Sequence, residues 1–249
     1  MRTSIQPPIA RALLLGGLAS AVALGHYTWV APTAALEVGK PATIQISHGD
    51  TFAVSDEAIN AAQVDLYVLA PSGAKVKLTA ARGKGSVTAP FTAKEAGLHR
   101  IVMVQDRGIT SRTPKGVKQG GRDKNPDAST ASRTFRTAIA YVNAGAGAAK
   151  TAKPVGLELE LAAERTASGW QVQLLKNGKP ASGIAIEVFL SGMAKGIDAG
   201  KTGADGKITW QPAAGAKGPA MFSAMFKDKA PSGAAYDAVN YETSLYVSW

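Results

Sequence analysis

The chain has 249 residues, enough for two modest domains with separate cores. Only 18% are charged, Gly, Ala, Thr and Val dominate, and no stretch is a long run of strong helix formers, so short strands and turns are favoured. The lack of Cys excludes disulfides, thiolate metal sites and cysteine nucleophiles.

The first 25 residues have the three parts of a secretory signal peptide. Arg2 and Arg11 supply positive charge, Ala12 to Leu24 is apolar, and Ala23-Leu24-Gly25 places small residues at the cleavage positions. The apolar stretch is shorter than the roughly 20 residues that cross a bilayer. Cleavage between Gly25 and His26 is expected, giving an exported, periplasmic protein with no membrane-spanning segment in the mature chain. The formal charge of +10 becomes +8 without Arg2 and Arg11. Export argues against nucleic acid as the partner of this basic chain, which leaves attraction to anionic envelope surfaces or a plain basic pI.

Beyond His26-Tyr27-Thr28-Trp29-Val30, the segment Thr43 to His48 alternates apolar and polar, the period of a half-buried strand. A polar stretch from Asp50 to Gln63 has room for one short helix. Val64 to Leu69 and Lys75 to Leu78 form a hairpin around Pro71-Ser72-Gly73. Leu98 to Val104 is apolar on both faces, so that strand is covered on both sides. Thr134 to Val142 closes the first module. Between these two, Asp106 to Arg133 is rich in Lys and Arg and reads as a long loose basic loop. Ala144 to about 154 is a small-residue linker.

A second series follows, with alternation at Leu157 to Leu161 and Trp170 to Leu174 and a strong turn at Asn177-Gly178. Ile184 to Val188, Ile208 to Trp210, Met221 to Phe226 and Thr243 to Val247 complete it. The strand spacing predicts an all-β protein with two immunoglobulin-like β-sandwich domains in tandem, over 26–143 and 155–249.

The chain has three histidines, at 26, 48 and 99. A mature terminus at His26 would carry an α-amine and an imidazole on one residue, a chelate for a transition metal. His48 would add a second imidazole, giving a nitrogen set suited to Cu and tolerable for Ni, Co or Zn. It ends a strand beside Gly49 and Asp50, where side chains are often exposed and oxygen ligands are near. The plainer readings are a frayed terminal residue for His26 and a hydrogen-bonded strand-end residue for His48. His99 shares a face with Ile101 and Met103 and reads as structural ahead of ligand. No G-x-S-x-G, H-E-x-x-H, P-loop or G-x-G-x-x-G pattern opens a helix here, so no enzyme is expected. Trp29, Trp170 and Trp210 read as core.

His26-x-x-Trp29 with Pro32, and Ser47-His48-Gly49-Asp50-x-Phe52, resemble the NikM-like periplasmic family. Asn177 to Ala181, Lys201 to Lys207 and Tyr241-x-x-Ser244-Leu245 look like its C-terminal immunoglobulin-like module. The resemblance implies a periplasmic component of a nickel or cobalt uptake system at the membrane, with His26 and His48 as metal contacts. Ser47 stands where a Gly is usual, and His99 falls at an aromatic position, so it receives no role.

The leading expectation is therefore a periplasmic transition-metal-binding protein, with His26, His48 and Asp50 as ligands and His99 less favoured. One alternative is a non-catalytic module that binds an envelope protein or polysaccharide. Another is a copper-dependent oxidase of the N-terminal-His type, disfavoured because no flat aromatic face is evident.

Overall fold

The computed structural model describes residues 26–145, 153–214, 216 and 218–248. The expected signal peptide and most of the expected linker lie outside them. The first series of strands is β1 (Tyr27–Pro32), β2 (Pro41–Gly49), β3 (Val64–Leu69), β4 (Lys75–Leu78), β5 (Ala81–Arg82) and β6 (Ser86–Thr92). It continues through β7 (Gly97–Thr113), β8 (Gly116–Gln119) and β9 (Thr130–Ala144). The second series is β10 (Leu159–Arg165), β11 (Trp170–Lys176), β12 (Lys179–Pro180), β13 (Ala185–Leu190) and β14 (Ile197–Lys201). It closes with β15 (Lys207–Trp210), β16 (Ala220–Lys229) and β17 (Ala238–Val247). A single 3₁₀ turn at Ala61–Gln63 is the helical element among the described residues. None of their helices is long and apolar enough to cross a membrane.

The strands form three layers. A central sheet runs in the order β14-β13-β16-β17-β9-β7-β3-β4, with β8 added on β7. The sheet β1-β2-β6-β5 covers one face, and β10-β11-β12 with β15 covers the other. Period-2 alternation explains the double cover. On one face, Ile101, Met103, Ala138 and Ala140 join Val30, Ile44, Ile46 and Val87 in a core. On the opposite face, Ile139 and Tyr141 join Leu161, Val172, Leu174, Phe222 and Leu245 in a second core. Each fully buried Leu, Ile or Phe contributes about 1.5–3 kcal/mol. Leu98 to Val104 is thus covered on both sides, as its sequence predicts. Asn177 and Gly178 both take positive φ, which suits the two-residue hairpin between β11 and β12.

The two sandwiches follow one another in sequence and share this one sheet. The closing strand β17 pairs in parallel with β9 from Ala238↔Ser132 to Val247↔Tyr141.

The loose loop expected over 106–133 is instead an ordered β-arm. β7 and β9 continue through it, with pairs from Ile109↔Arg133 to Arg112↔Thr130, and β8 folds back on β7. A register shift between Asp106 and Ile109, with Gly108 at φ 74°, breaks the alternation, so no strand period shows in the sequence. Side-chain bonds fix the turns. Asn125 Nδ2 donates to the Gln119 carbonyl at 3.0 Å, and Arg133 pairs with Asp106 at 2.5 Å.

The arm docks on the second half. Arg122 donates to Asp237 Oδ2 at 2.9 Å, and the Ala131 amide donates to the same oxygen at 2.9 Å. The Arg122 amide donates to the Ala235 carbonyl at 2.8 Å. A Cβ on Gly121 would lie 2.3 Å from that carbonyl oxygen. Gly121→Val should therefore undock the arm while the two cores stay folded. Amide exchange at Arg122 and Ala131 should rise while exchange at Ile139 is unchanged.

Candidate metal centre

β1 and β2 pair antiparallel with Thr28 opposite His48 and Tyr27 opposite Gly49. His48 is the next inward residue after Ile44 and Ile46 in the alternation of β2. It is therefore buried, with 7% of its surface exposed, where the sequence reading expects exposure at a strand end. Its Nδ1 lies 2.8 Å from Thr28 Oγ1 and 3.1 Å from the Tyr27 carbonyl. A carbonyl only accepts, so Nδ1 carries the proton and Nε2 keeps its lone pair. An imidazole whose second nitrogen is held by a carbonyl is the usual arrangement of a metal-binding histidine.

The next segment folds back over this ring. Its anchor is Phe52, which is 1% exposed and packs edge-on against Trp29 at 5.6 Å between centroids. The backbone of Phe52 bonds to the second half, donating to the Met193 carbonyl at 3.0 Å and accepting from Gly192 at 2.9 Å. Ser55 Oγ accepts from the His48 amide at 3.2 Å and donates to the Gly85 carbonyl at 2.6 Å. The amides of Asp56 and Glu57 both donate to the His48 carbonyl, at 2.9 and 3.2 Å. A Cβ at Gly49 would stand 2.8 Å from the Val54 carbonyl oxygen, so this fold-back requires glycine there.

The fold-back brings in a residue that the sequence reading misses. Ligand atoms of His26, His48 and Glu57 all lie within 4.8 Å of one another. The rings of His26 and His48 are 5.0 Å apart. A first-row ion sits about 2 Å from such donors. The exposed His26 and Glu57 can rotate inward to that distance, while His48 is fixed. Asp50 is drawn to the rim, with Oδ1 3.5 Å from His26 Nε2, and is not one of the three. No local pattern marks Glu57. Its place follows from two backbone bonds to His48.

His99 is elsewhere. It is 1% exposed, its Nδ1 is 3.1 Å from the Gly97 carbonyl, and Phe91 meets it edge-on at 5.9 Å. It fills the core, as its neighbours Ile101 and Met103 predict.

The central sheet beneath the histidines is charged. Arg136 and Glu242 stand side by side across the β9–β17 pairing, with Nε donating to Oε2 at 2.5 Å. The Arg136 side chain is 7% exposed. Removing the carboxylate from such a buried cation costs about 3–5 kcal/mol. Gln105 pairs with Arg136 on the other side and has a buried amide oxygen without a partner. Burial holds the Arg107 guanidinium below its ordinary value, and the charge of Arg136 adds to this. Burial likewise pushes the His48 imidazole down to about 4, with the charges of Arg136 and His26 adding to it. His48 is therefore neutral at pH 7 and has no proton to displace before it binds an ion.

With this geometry, residues 23–228 match the family described as a domain of unknown function, DUF4198. The chain belongs to that family. No curated protein matches it. Among solved structures, the D0-D1 domain of Intimin aligns over 90% of this chain and 98% of that one, at 13% identity and a TM-score of 0.25. A score that low bears on neither fold nor function.

Unfolded, His48 titrates near 6.5; folded, near 4. Between those values only the unfolded chain takes up the proton, so stability falls as pH drops from about 6.5 to about 4, by up to about 3 kcal/mol. Thermal melts over that range should show the loss in the parent protein and a flatter profile in His48→Gln.

Proposed function

We propose that this is a periplasmic, non-enzymatic protein that binds one divalent transition metal, nickel or cobalt ahead of copper, for a membrane uptake system. The observation that supports this is the convergence of His26, His48 and Glu57, with His48 buried, neutral and oriented by Tyr27 and Thr28. Two imidazoles and a carboxylate make a donor set for the later first-row ions. Export supplies the remaining ligand. Cleavage before His26 frees an α-amine on the same residue as the imidazole, which closes a chelate and leaves coordination positions open for delivery. The resemblance of the His26 and His48 segments to the NikM-like family favours nickel or cobalt as cargo.

Intact-mass analysis of the protein purified after export, followed by calorimetric titration with Ni²⁺, Co²⁺ and Cu²⁺, tests this reading. One ion per chain is expected. His26→Ala and His48→Gln should each abolish stoichiometric binding, and Glu57→Gln should weaken it about tenfold or more, equivalent to at least about 1.4 kcal/mol. Binding that survives both histidine variants, or a terminus other than His26, would overturn the chelate.

A further inference from the structure

A cavity of about 240 Å³ opens beside His26, lined by that residue, Thr28, Arg136, Met225, Glu242 and Ser244 among others. Its chemistry is uneven. Most of its hydroxyls are already engaged. Thr28 meets His48, Thr137 donates to the Leu159 carbonyl and accepts from Thr243, and Ser244 donates to the Thr28 carbonyl. Tyr27 and Met225 add apolar wall, and Met225 is 67% exposed.

Arg136 is different. Its side chain is more than nine-tenths buried, and it uses Nε on Glu242. Its two terminal nitrogens donate to no described residue, although they belong to a group that lines the cavity. A guanidinium held from behind, with free N–H groups on a cavity, is a fork for a planar carboxylate. The same cation sits close to the proposed ion. Arg136 lines the same cavity as His26, so its charge faces the space beside that proposed ligand. An anionic co-ligand placed between the ion and Arg136 is attracted by both positive charges.

We propose that this site takes its metal together with a small organic carboxylate chelator. Some donors of the chelator stay on the metal in the positions that His26, His48 and Glu57 leave open. A further carboxylate of the same molecule lies in the cavity on the terminal nitrogens of Arg136. Its carbon skeleton rests against Tyr27 and Met225. This inference depends on the metal reading above and adds the form in which the metal arrives.

The test is calorimetry on the exported protein with three probes: Ni²⁺ alone, 1:1 Ni²⁺–citrate, and Ni²⁺ with inorganic phosphate. Parent protein is compared with Arg136→Lys and with the charge-balanced double variant Arg136→Gln/Glu242→Gln. Thermal melts identify any variant that fails to fold, and the surviving variant then carries the comparison. The parent should bind the citrate complex at least tenfold more tightly than competition for the free ion allows. That gain, expressed relative to Ni²⁺ alone, should vanish when the guanidinium fork is lost. Phosphate should give no comparable gain; an equal gain with phosphate would overturn an organic chelator in favour of a general oxyanion site. If Ni²⁺ alone binds and citrate merely strips it from parent and variants alike, the chelator inference falls and the metal reading stands. If nickel binds in neither form, both fall.

Discussion

The parallel pairing of β9 with β17 is the constraint on which the rest of this protein depends. It joins two sandwiches into one sheet and sets the charges beneath the histidines. Arg136 lies against Glu242 because their positions are in register across it. The Thr137 and Thr243 hydroxyls are hydrogen-bonded at 2.9 Å by the same register. One residue further, Ser244 donates to the Thr28 carbonyl at 2.6 Å, which fastens β1 onto the sheet. Thr28 and the Tyr27 carbonyl in turn orient the His48 ring. The closing strand thus helps to fix the orientation of His48, which stands on the second.

The site joins rigid and movable groups. His48 is packed, neutral and bonded through Nδ1, so its Nε2 has a fixed direction. His26 and Glu57 are exposed and close by. The cluster thus combines one oriented donor atom with two exposed ones. Arg136 and Arg107 add positive charge near these donors, and Glu57, Asp50 and Glu242 add negative charge.

The arm formed by β7, β8 and β9 shows how a local irregularity hides a regular element. Its residues are ordinary strand residues, Ile109 to Thr113 against Thr130 to Arg133, yet the bulge at Asp106 to Ile109 shifts their alternation out of phase. Lys and Arg are frequent there because the arm projects from the core, where solvated charge is tolerated. The polar side chains of Arg122 and Asn125 then supply the bonds that hold its turns.

Within the sequence, alternation at Thr43 to His48 and Trp170 to Leu174, and the apolar runs Val64 to Leu69 and Leu98 to Val104, determined the strands, while the burial of His48 came only with the fold. Asn177-Gly178 determined a hairpin, because both positions need positive φ. His26 and His48 stood out as a possible donor pair from residue type and place alone. Tertiary structure alone decided that Glu57 comes beside them, that Arg136 meets Glu242, and that β17 returns to β9. Local periodicity encodes which face of a strand is buried, but it does not name the partner strand. Arg136 and Glu242 are 106 positions apart, and only the folded sheet makes them neighbours.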